Sequence, residues 1–339
     1  MREVKTEEAI GMILAHDMTK IVMGKFKSRA FKKGHVIRAE DIKELLSMGK
    51  EHIYILDIKE GFIHEDDAAC RIASAMRGQN IELTETSEGK VTLLAGIDGL
   101  LKVNQEAIIA MNSVPDIAIA TIHSNQVVKQ GDKLAGTRAI PLTIEEEKVK
   151  MVEVIAGNFQ PVVSVLPMKK VKAGVVTTGT EVFKGRIPDK FGPVVSRKLA
   201  ALGSEVMRQI FVPDDTQQIQ AAIETLIEAG AEMIITTGGM SVDPDDRTPG
   251  AVKQLGANII AYGMPVLPGS MLLLADYQGI PIIGLPGCVM YESSTSFDLV
   301  LPRVLADDPI TKEDIARMGY GGLCTTCDYC SYPRCAFGK

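Results

Sequence analysis

One stretch of twenty residues constrains the fold of this chain more than any other. It reads Ala231-Glu-Met-Ile-Ile-Thr-Thr-Gly-Gly-Met-Ser-Val-Asp-Pro-Asp-Asp-Arg-Thr-Pro-Gly250. The segment Met233 to Thr236 predicts a short buried strand, which breaks at Gly238 and Gly239. Because glycine has no Cβ, this pair lets a ligand approach the backbone closely. Open α/β sheets bind ligands at the carboxyl ends of their strands, so the stretch predicts a ligand-binding loop.

Three carboxylates follow the two glycines. Asp243, Asp245 and Asp246 precede a predicted helix start at Thr248-Pro249. Carboxylates on one rim can coordinate a metal ion or accept hydrogen bonds from an amine-rich ring. Such a run is also typical of a solvated acidic loop, and for Asp243 and Asp245 both interpretations stay open.

The fold class follows from the order of elements after about Val162. Strands are expected at 172–177, 206–212 and 233–236, with helices around 195–202 and 214–227 between them. This order predicts a parallel sheet flanked by helices on both faces, an α/β domain. Segments 271–275 and 281–285 are expected to form a hairpin at the sheet edge. A helix from Tyr291 to Val304 is expected to close the domain.

The preceding half of the chain predicts a different pattern of secondary structure. Residues 1–58 predict a small β-rich unit with one helix, and residues 59–165 a β-rich module with one or two helices. Within that module, short segments and frequent turn signals indicate a compact barrel or sandwich, followed by a charged helix at 143–156. The predicted domains are therefore 1–58, 59–165, 166–309 and a Cys-rich tail, 310–339.

Composition narrows the classes of function. The formal net charge is −6, and no basic run is long enough to follow a phosphate backbone, so nucleic-acid binding is disfavoured. No apolar stretch approaches the length of a membrane span, and the first residues lack a signal-peptide core. A cytoplasmic, reducing location is expected. Four of the six cysteines lie in the last 16 positions, which favours a metal or redox tail over a disulfide framework.

Three more segments accompany the Gly-Gly loop: Val175-Val-Thr-Thr-Gly-Thr-Glu-Val182, Pro265-Val-Leu-Pro-Gly-Ser270 and Ile283-Gly-Leu-Pro-Gly-Cys288. Together, the four segments resemble the molybdopterin-binding domain shared by molybdopterin molybdotransferases and molybdopterin adenylyltransferases, in the family's order. The resemblance covers about 168–306, whereas the first 160 residues match only loosely. Homo-oligomers are expected from the family.

The resemblance implies a role in molybdenum cofactor biosynthesis. Its implied ligand is molybdopterin or adenylyl-molybdopterin, and its implied reaction is Mg²⁺-assisted molybdate insertion, with Asp246 orienting the pterin or the metal. The residues implied to contact the ligand come from all four segments: Thr178, Gly179, Thr180, Glu181, Gly238, Gly239, Ser241, Asp246, Gly269, Ser270, Pro286 and Gly287.

The chain also departs from the family pattern. Ser270 stands where insertases commonly have a basic residue, and Cys288 where they have asparagine; Cys288 is either a thiol on the rim or a small buried apolar residue. The acidic N-terminal motifs of insertases are absent, and the cluster at 64–67 is explained more simply as a helix start. Two alternatives therefore stay open: a non-catalytic cofactor carrier or sensor, and a nucleotide hydrolase of the competence-damage type.

The tail carries a separate motif. Its cysteines follow a C-x₂-C-x₂-C-x₄-C spacing at Cys324, Cys327, Cys330 and Cys335. Ferredoxin-type [4Fe–4S] runs use x₂, x₂ and then x₃ spacing, whereas structural zinc uses two separated pairs. The spacing predicts a metal site and slightly favours an iron–sulfur cluster over Zn²⁺, with a metal-free thiol tail as the alternative.

Overall fold

The computed structural model describes residues 2–22, 26–241, 243 and 246–338. The chain divides into two compact units, of which the first holds most residues up to 165 and the second those from 166 onward. In the described ranges no helix is long and apolar enough to cross a membrane. The predicted Asp245 lies outside the described residues.

The part of the chain up to residue 166 combines small sheets with helices. Its strands are β1 (Arg2–Lys5), β2 (Met18–Val22), β3 (Phe26–Phe31), β4 (His52–Ile55), β5 (Phe62–His64), β6 (Ile81–Leu83), β7 (Lys90–Ala95), β8 (Gly99–Val103), β9 (Ile117–Thr121), β10 (Val127–Val128), β11 (Lys133–Ala139), β12 (Thr143–Glu145) and β13 (Val163–Leu166). Its helices are α1 (Asp41–Ser47), α2 (Glu65–Met76), α3 (Gln105–Asn112) and α4 (Glu146–Asn158), with a 3₁₀ turn at Thr6–Glu8.

Two separate apolar clusters organise this first unit. One contains Leu14, Leu45 and Ile53 and belongs to the N-terminal segment. The other packs α2, α3 and α4 against the four-stranded sheet β6-β7-β11-β9. The segment expected to be a barrel or sandwich is therefore an open sheet with three helices. Sequence reasoning missed α3, because its apolar residues lie among the turn signals that indicated a β module.

The second unit is built on one six-stranded sheet. Its strands are β14 (Lys172–Thr178), β15 (Glu205–Val212), β16 (Met233–Thr237), β17 (Asn258–Tyr262), β18 (Leu273–Tyr277) and β19 (Ile280–Leu285). Its helices are α5 (Thr180–Phe183), α6 (Phe191–Ala201), α7 (Thr216–Glu228), α8 (Thr248–Gln254), α9 (Ser296–Leu305) and α10 (Lys312–Arg317), with a 3₁₀ turn at Gly287–Met290.

The strand order is β15-β14-β16-β19-β18-β17, and the first four strands run parallel. Residues of α6 and α9 cover one face, and residues of α7 and α8 cover the other. The predicted α/β class, a parallel sheet between helices preceded by small β-rich modules, is confirmed.

Two details of the prediction are wrong. The hairpin β18–β19 is internal, because β17 pairs with β18 and forms the edge of the sheet. The last helix of the domain starts at Ser296 and not at Tyr291, because Thr295 and Asp298 form a capping box that fixes its first turn.

Candidate functional site

The Gly-Gly loop and the Thr-Gly loop lie side by side. They follow β16 and β14, which are neighbouring parallel strands with Thr237 opposite Thr177. A Cβ on Gly238 would lie 2.2 Å from the carbonyl oxygen of Thr178, and both Gly238 and Gly239 have positive φ. Since an L-residue would be strained here and would also collide with the neighbouring loop, glycine is required for this approach.

The other two motif segments reach the same edge. Pro286 and Gly287 follow β19, whose last residue, Leu285, lies opposite Thr237. Gly269 and Ser270 precede β18, which runs antiparallel and therefore begins at this edge. Ser296 Oγ donates a 2.7 Å hydrogen bond to the Gly269 carbonyl. All four sequence motifs therefore border one rim of the sheet, which we call the carboxyl rim.

The predicted contact residues differ in exposure. Thr178, Gly269 and Pro286 are buried and serve as supports. The other residues expose at least part of their surface on the rim: Gly179, Thr180, Glu181, Gly238, Gly239, Ser241, Asp246, Ser270 and Gly287.

A partly buried polar network supports the rim. Gln209 on β15 donates from Nε2 to Thr177 Oγ1 and to Asp189 Oδ2, both at 2.8 Å. Thr237 Oγ1 donates to Thr177 Oγ1 at 3.0 Å. The Asp189 carboxylate in turn accepts from the backbone N–H groups of Phe191 and Gly192 at the start of α6. These bonds hold three strand ends and one helix start in a fixed relation.

The two described aspartates of the acidic loop are hydrogen-bonded to each other. Asp246 N donates to the Asp243 carbonyl at 2.9 Å, and Asp243 N donates to Asp246 Oδ2 at 3.3 Å. Thr248 Oγ1 donates to the Gly238 carbonyl at 2.9 Å, which fastens the start of α8 to the Gly-Gly turn. The Asp246 side chain is partly exposed, so its carboxylate can also receive hydrogen bonds from a ligand.

Sequence reasoning missed two rim residues. Asp214, just beyond β15, accepts hydrogen bonds from Thr180 N at 3.0 Å and from Thr180 Oγ1 at 3.3 Å. Its neighbour Asp215 caps α7 through the N–H of Gln218, so only Asp214 faces the Thr-Gly loop. The Pro213-Asp214-Asp215 sequence after a predicted strand is a usable signal, although it is equally typical of a simple helix start.

Tyr262 is the second missed residue, at the end of β17. Its hydroxyl donates to the carbonyls of Met240 and Ser241 at 3.2 and 3.3 Å. Burial, and then the charge of Asp246, raise the pKa of this phenol above its ordinary value. Tyr262 therefore stays a neutral hydrogen-bond donor next to the acidic loop. No motif marked it, because β17 itself was not predicted.

Cys288 lies in the 3₁₀ turn that follows Pro286. It is partly exposed, and burial raises the pKa of its thiol above the ordinary value, ahead of a contribution from Glu292. A raised pKa keeps the sulfur protonated at neutral pH, which makes it a weak nucleophile. Because Cys288 is partly exposed, its position agrees in part with a thiol on the rim and in part with a small buried apolar residue.

The structure does not gather the predicted tail ligands. Cys324, Cys327, Cys330 and Cys335 are free thiols. Within the described ranges, no three or more His, Cys, Asp or Glu side chains are grouped so that they could hold a metal ion. Cys330 Sγ instead lies 3.3 Å from Ser294 Oγ.

An α/β domain with glycine loops and acidic residues on one carboxyl rim defines a class of small-ligand-binding domains. Residues 174–306 match the family described as "Probable molybdopterin binding domain", which confirms the predicted resemblance for these residues. Residues 3–57 match a domain of unknown function, DUF8806.

Two relatives match parts of the chain at different levels of identity. A molybdopterin molybdenumtransferase from Synechococcus elongatus is 27% identical over 229 residues, which are 62% of this chain and 54% of the relative. A CinA-like protein from Mycobacterium tuberculosis is 38% identical over 77 residues, which are 23% of this chain and 18% of the relative. The chain thus spans about half the length of the first relative and less of the second.

Among solved structures, the molybdopterin biosynthesis enzyme MoaB from Thermus thermophilus is 22% identical with a TM-score of 0.34, covering 41% of this chain and 98% of its own. A molybdopterin biosynthesis moea protein from Pyrococcus horikosii is 16% identical with a TM-score of 0.34, covering 91% of this chain and 75% of its own.

Proposed function

We propose that this chain binds molybdopterin, as its adenylylated form, at the carboxyl rim and takes part in the insertion of molybdate. The observation that carries the proposal is the convergence of four glycine-bearing segments and two acidic side chains, Asp214 and Asp246, on one sheet edge. Close backbone approach and oriented carboxylates suit a flat, amine-rich ring linked to a phosphate.

Each rim residue is proposed to contact a different part of the ligand. At Gly179 no heavy atom lies within 4 Å of where a Cβ would stand, so the ligand's phosphate can approach backbone N–H groups there, while Gly238 and Gly239 let the two loops pack against each other. Ser241 adds an exposed hydroxyl. The Asp246 carboxylate accepts hydrogen bonds from the pterin amine.

Mg²⁺ is part of the same proposal. Protein Mg²⁺ sites commonly use one or two carboxylates together with substrate phosphate oxygens and water. The rim offers two such hard oxygen donors, Asp214 and Asp246, which fits that pattern. A bound Mg²⁺ would neutralise phosphate charge during hydrolysis of the adenylyl group, and molybdate would be the co-substrate. Assembly as a homo-oligomer is likewise proposed.

Substitution of one rim carboxylate tests the proposal. Asp246→Asn should weaken binding of adenylyl-molybdopterin about 10- to 100-fold, because one charge-assisted hydrogen bond contributes about 1.5–3 kcal/mol. The melting temperature should stay nearly unchanged, since the carboxylate is partly exposed. Glu228→Gln is the matched control: it removes one exposed charge at the end of α7, which precedes β16 and so lies away from the rim.

The outcomes separate the candidate functions. Tight binding together with molybdate-dependent release of AMP supports insertion, whereas tight binding without turnover supports a carrier or sensor. The match to a CinA-like protein favours nucleotide hydrolysis as the second candidate, and pyrophosphatase activity without pterin would support it. Equal affinity of Asp246→Asn and the parent protein would contradict the role assigned to this carboxylate.

A further inference from the structure

The Cys-rich tail is fastened to the second unit at its entry. Leu267 N donates to the Gly322 carbonyl and Cys324 N donates to the Leu267 carbonyl, both at 2.8 Å. These two bonds form a parallel bridge between Leu267 and Leu323. Gly322 packs so closely against backbone carbonyls of Met318 and Pro265 that an added Cβ would lie about 2.5 Å from both. The first cysteine therefore leaves from a fixed point.

The exit of the tail returns to the same place. Gly338 N donates to the Gly321 carbonyl at 2.9 Å, which closes residues 321–338 into a loop. Phe337 is 4% exposed, and Gly338 packs against the side chain of Leu299. Between the ends, Tyr332 Oη donates to the Asp298 carbonyl at 3.1 Å. The loop is thus held near Cys324, between Cys330 and Cys335, and just after Cys335.

This closed loop has almost no core of its own. Phe337 is its buried aromatic residue, whereas Leu323 and Tyr329 are 67% and 90% exposed. No helix or strand is assigned to the described residues 319–338. Small segments that bury so little apolar surface are usually ordered by a disulfide or a metal ion. Four cysteines occur within this one loop, and all four thiols are free.

We propose that the closed loop at 321–338 binds one [4Fe–4S] cluster through Cys324, Cys327, Cys330 and Cys335. The proposal does not depend on the pterin function. Each thiol gives up its proton to bind iron as a thiolate. Three cysteines at x₂ spacing match the ferredoxin run, and the fourth lies three residues before Gly338, whose bond to Gly321 closes the loop. Zinc sites instead use two pairs separated by a longer connection.

Cluster binding requires a local rearrangement, because the described thiols are not grouped at ligating distance. The arc between the fixed points carries Cys327 and Cys330, both exposed, and it can fold toward Cys324 and Cys335 while the anchors stay in place. Cys330 would exchange its contact with Ser294 for iron. The cluster would then supply the cross-link that the loop's small core does not.

The test is metal analysis of the full chain expressed and purified without oxygen. The protein should be brown and hold about four iron and four acid-labile sulfide per chain. Cys327→Ser should lower the iron content to below about one per chain, because the exposed arc would supply only one of its two ligands. Cys70→Ser, which removes an exposed thiol of the first unit, should leave the iron content unchanged.

Two results would overturn the proposal: colourless anaerobic protein with about one zinc per chain, or protein without bound metal. Since Cys327 is exposed, its substitution should not unfold the domain, and an unchanged thermal transition of the second unit checks this. Loss of pterin binding with retained iron, or the reverse, would separate failure of the proposed function from failure of the cluster assignment.

Discussion

Two acidic segments of this chain look alike in sequence but use their carboxylates differently. The segment at 64–67 starts α2, and its Asp66 carboxylate is bound by other parts of the protein: it accepts a hydrogen bond from Gly89 N at 3.1 Å and lies 3.2 Å from Lys33 Nζ. Asp243 and Asp246 lie on the carboxyl rim, where backbone contacts and glycines fix the chain and the Asp246 side chain is partly exposed.

The difference teaches what distinguishes a structural acidic cluster from a binding one. At the start of α2, His64 is fully buried: one ring nitrogen contacts the Ala15 carbonyl, and Nδ1 accepts from Asp66 N at 3.1 Å. Contact with the His64 ring, ahead of Lys33 and against the effect of burial, lowers the pKa of Asp66 to about 2. The Asp66 carboxylate therefore stabilises the fold, whereas the Asp246 carboxylate on the rim stays accessible to a ligand.

Substitution of the rim glycine should give the largest effect. Gly238→Ala places a carbon 2.2 Å from the Thr178 carbonyl at a φ of +82°. The left-handed backbone should cost about 1–2 kcal/mol, and the collision about 1–3 kcal/mol more. Chemical denaturation of the second unit should therefore show a loss of about 2–5 kcal/mol in unfolding free energy, accompanied by loss of ligand binding.

Gly230→Ala separates the two contributions. Gly230 has a φ of +94°, but no heavy atom lies within 4 Å of the added carbon. Only the backbone cost of about 1–2 kcal/mol should appear, with ligand binding retained. Equal effects of the two substitutions would mean that the close approach of the two loops does not hold the rim together.

The sequence predicted the rim better than its supports. The strands at 172–178 and 233–237 and the helix at 216–228 were predicted to within two residues, because apolar spacing and the glycine breaks mark them clearly. The adjacency of the glycine loops follows from the parallel order. Gln209 and Tyr262 were not found, since each acts through hydrogen bonds to a residue far away in sequence.

The same limit applies to the acidic segments. Sequence spacing correctly indicated that 64–67 starts a helix, and α2 begins at Glu65. The sequence could not show that the Asp66 carboxylate is bound by Lys33 and by the Gly89 N–H, because these partners come from distant segments. It also could not show that the tail returns to Gly321, a contact set by packing on Leu299.

Asp66→Asn should give the next largest effect, and on stability alone. At pH 7 the first unit should lose about 1–2 kcal/mol of unfolding free energy, because a charged contact to Lys33 disappears. The pKa of Asp66 is lowered in the folded state, so its contribution is present above its ordinary pKa of 3.8 and lost as pH falls toward 2. Hydrogen exchange of α2 at several pH values measures this.

Asp67→Asn serves as the control for Asp66, since it removes a neighbouring but exposed charge from the same first turn. It should change stability by no more than about 0.5 kcal/mol. Ligand affinity should be unaffected by either substitution. A weakened affinity in Asp66→Asn would show that the α2 segment also serves the ligand and would break the distinction between the two acidic clusters.

The smallest expected effect has the opposite sign and comes from Glu65. This residue is 4% exposed, its Oε2 has no hydrogen-bond partner among the described residues, and Arg138 Nη2 lies 3.6 Å away. Burial raises the pKa of the Glu65 carboxyl, ahead of opposing contributions from His64 and Arg138. The folded state therefore favours the protonated form, and stability decreases as pH rises above the ordinary Glu pKa of 4.5.

Glu65→Gln should raise the unfolding free energy by about 1 kcal/mol at pH 7 and leave it unchanged below pH 4.5, as measured by denaturation at both pH values. Destabilisation by this substitution at pH 7 would mean that the charge of Glu65 is compensated by Arg138, and the first acidic cluster would then be a fully paired ion network.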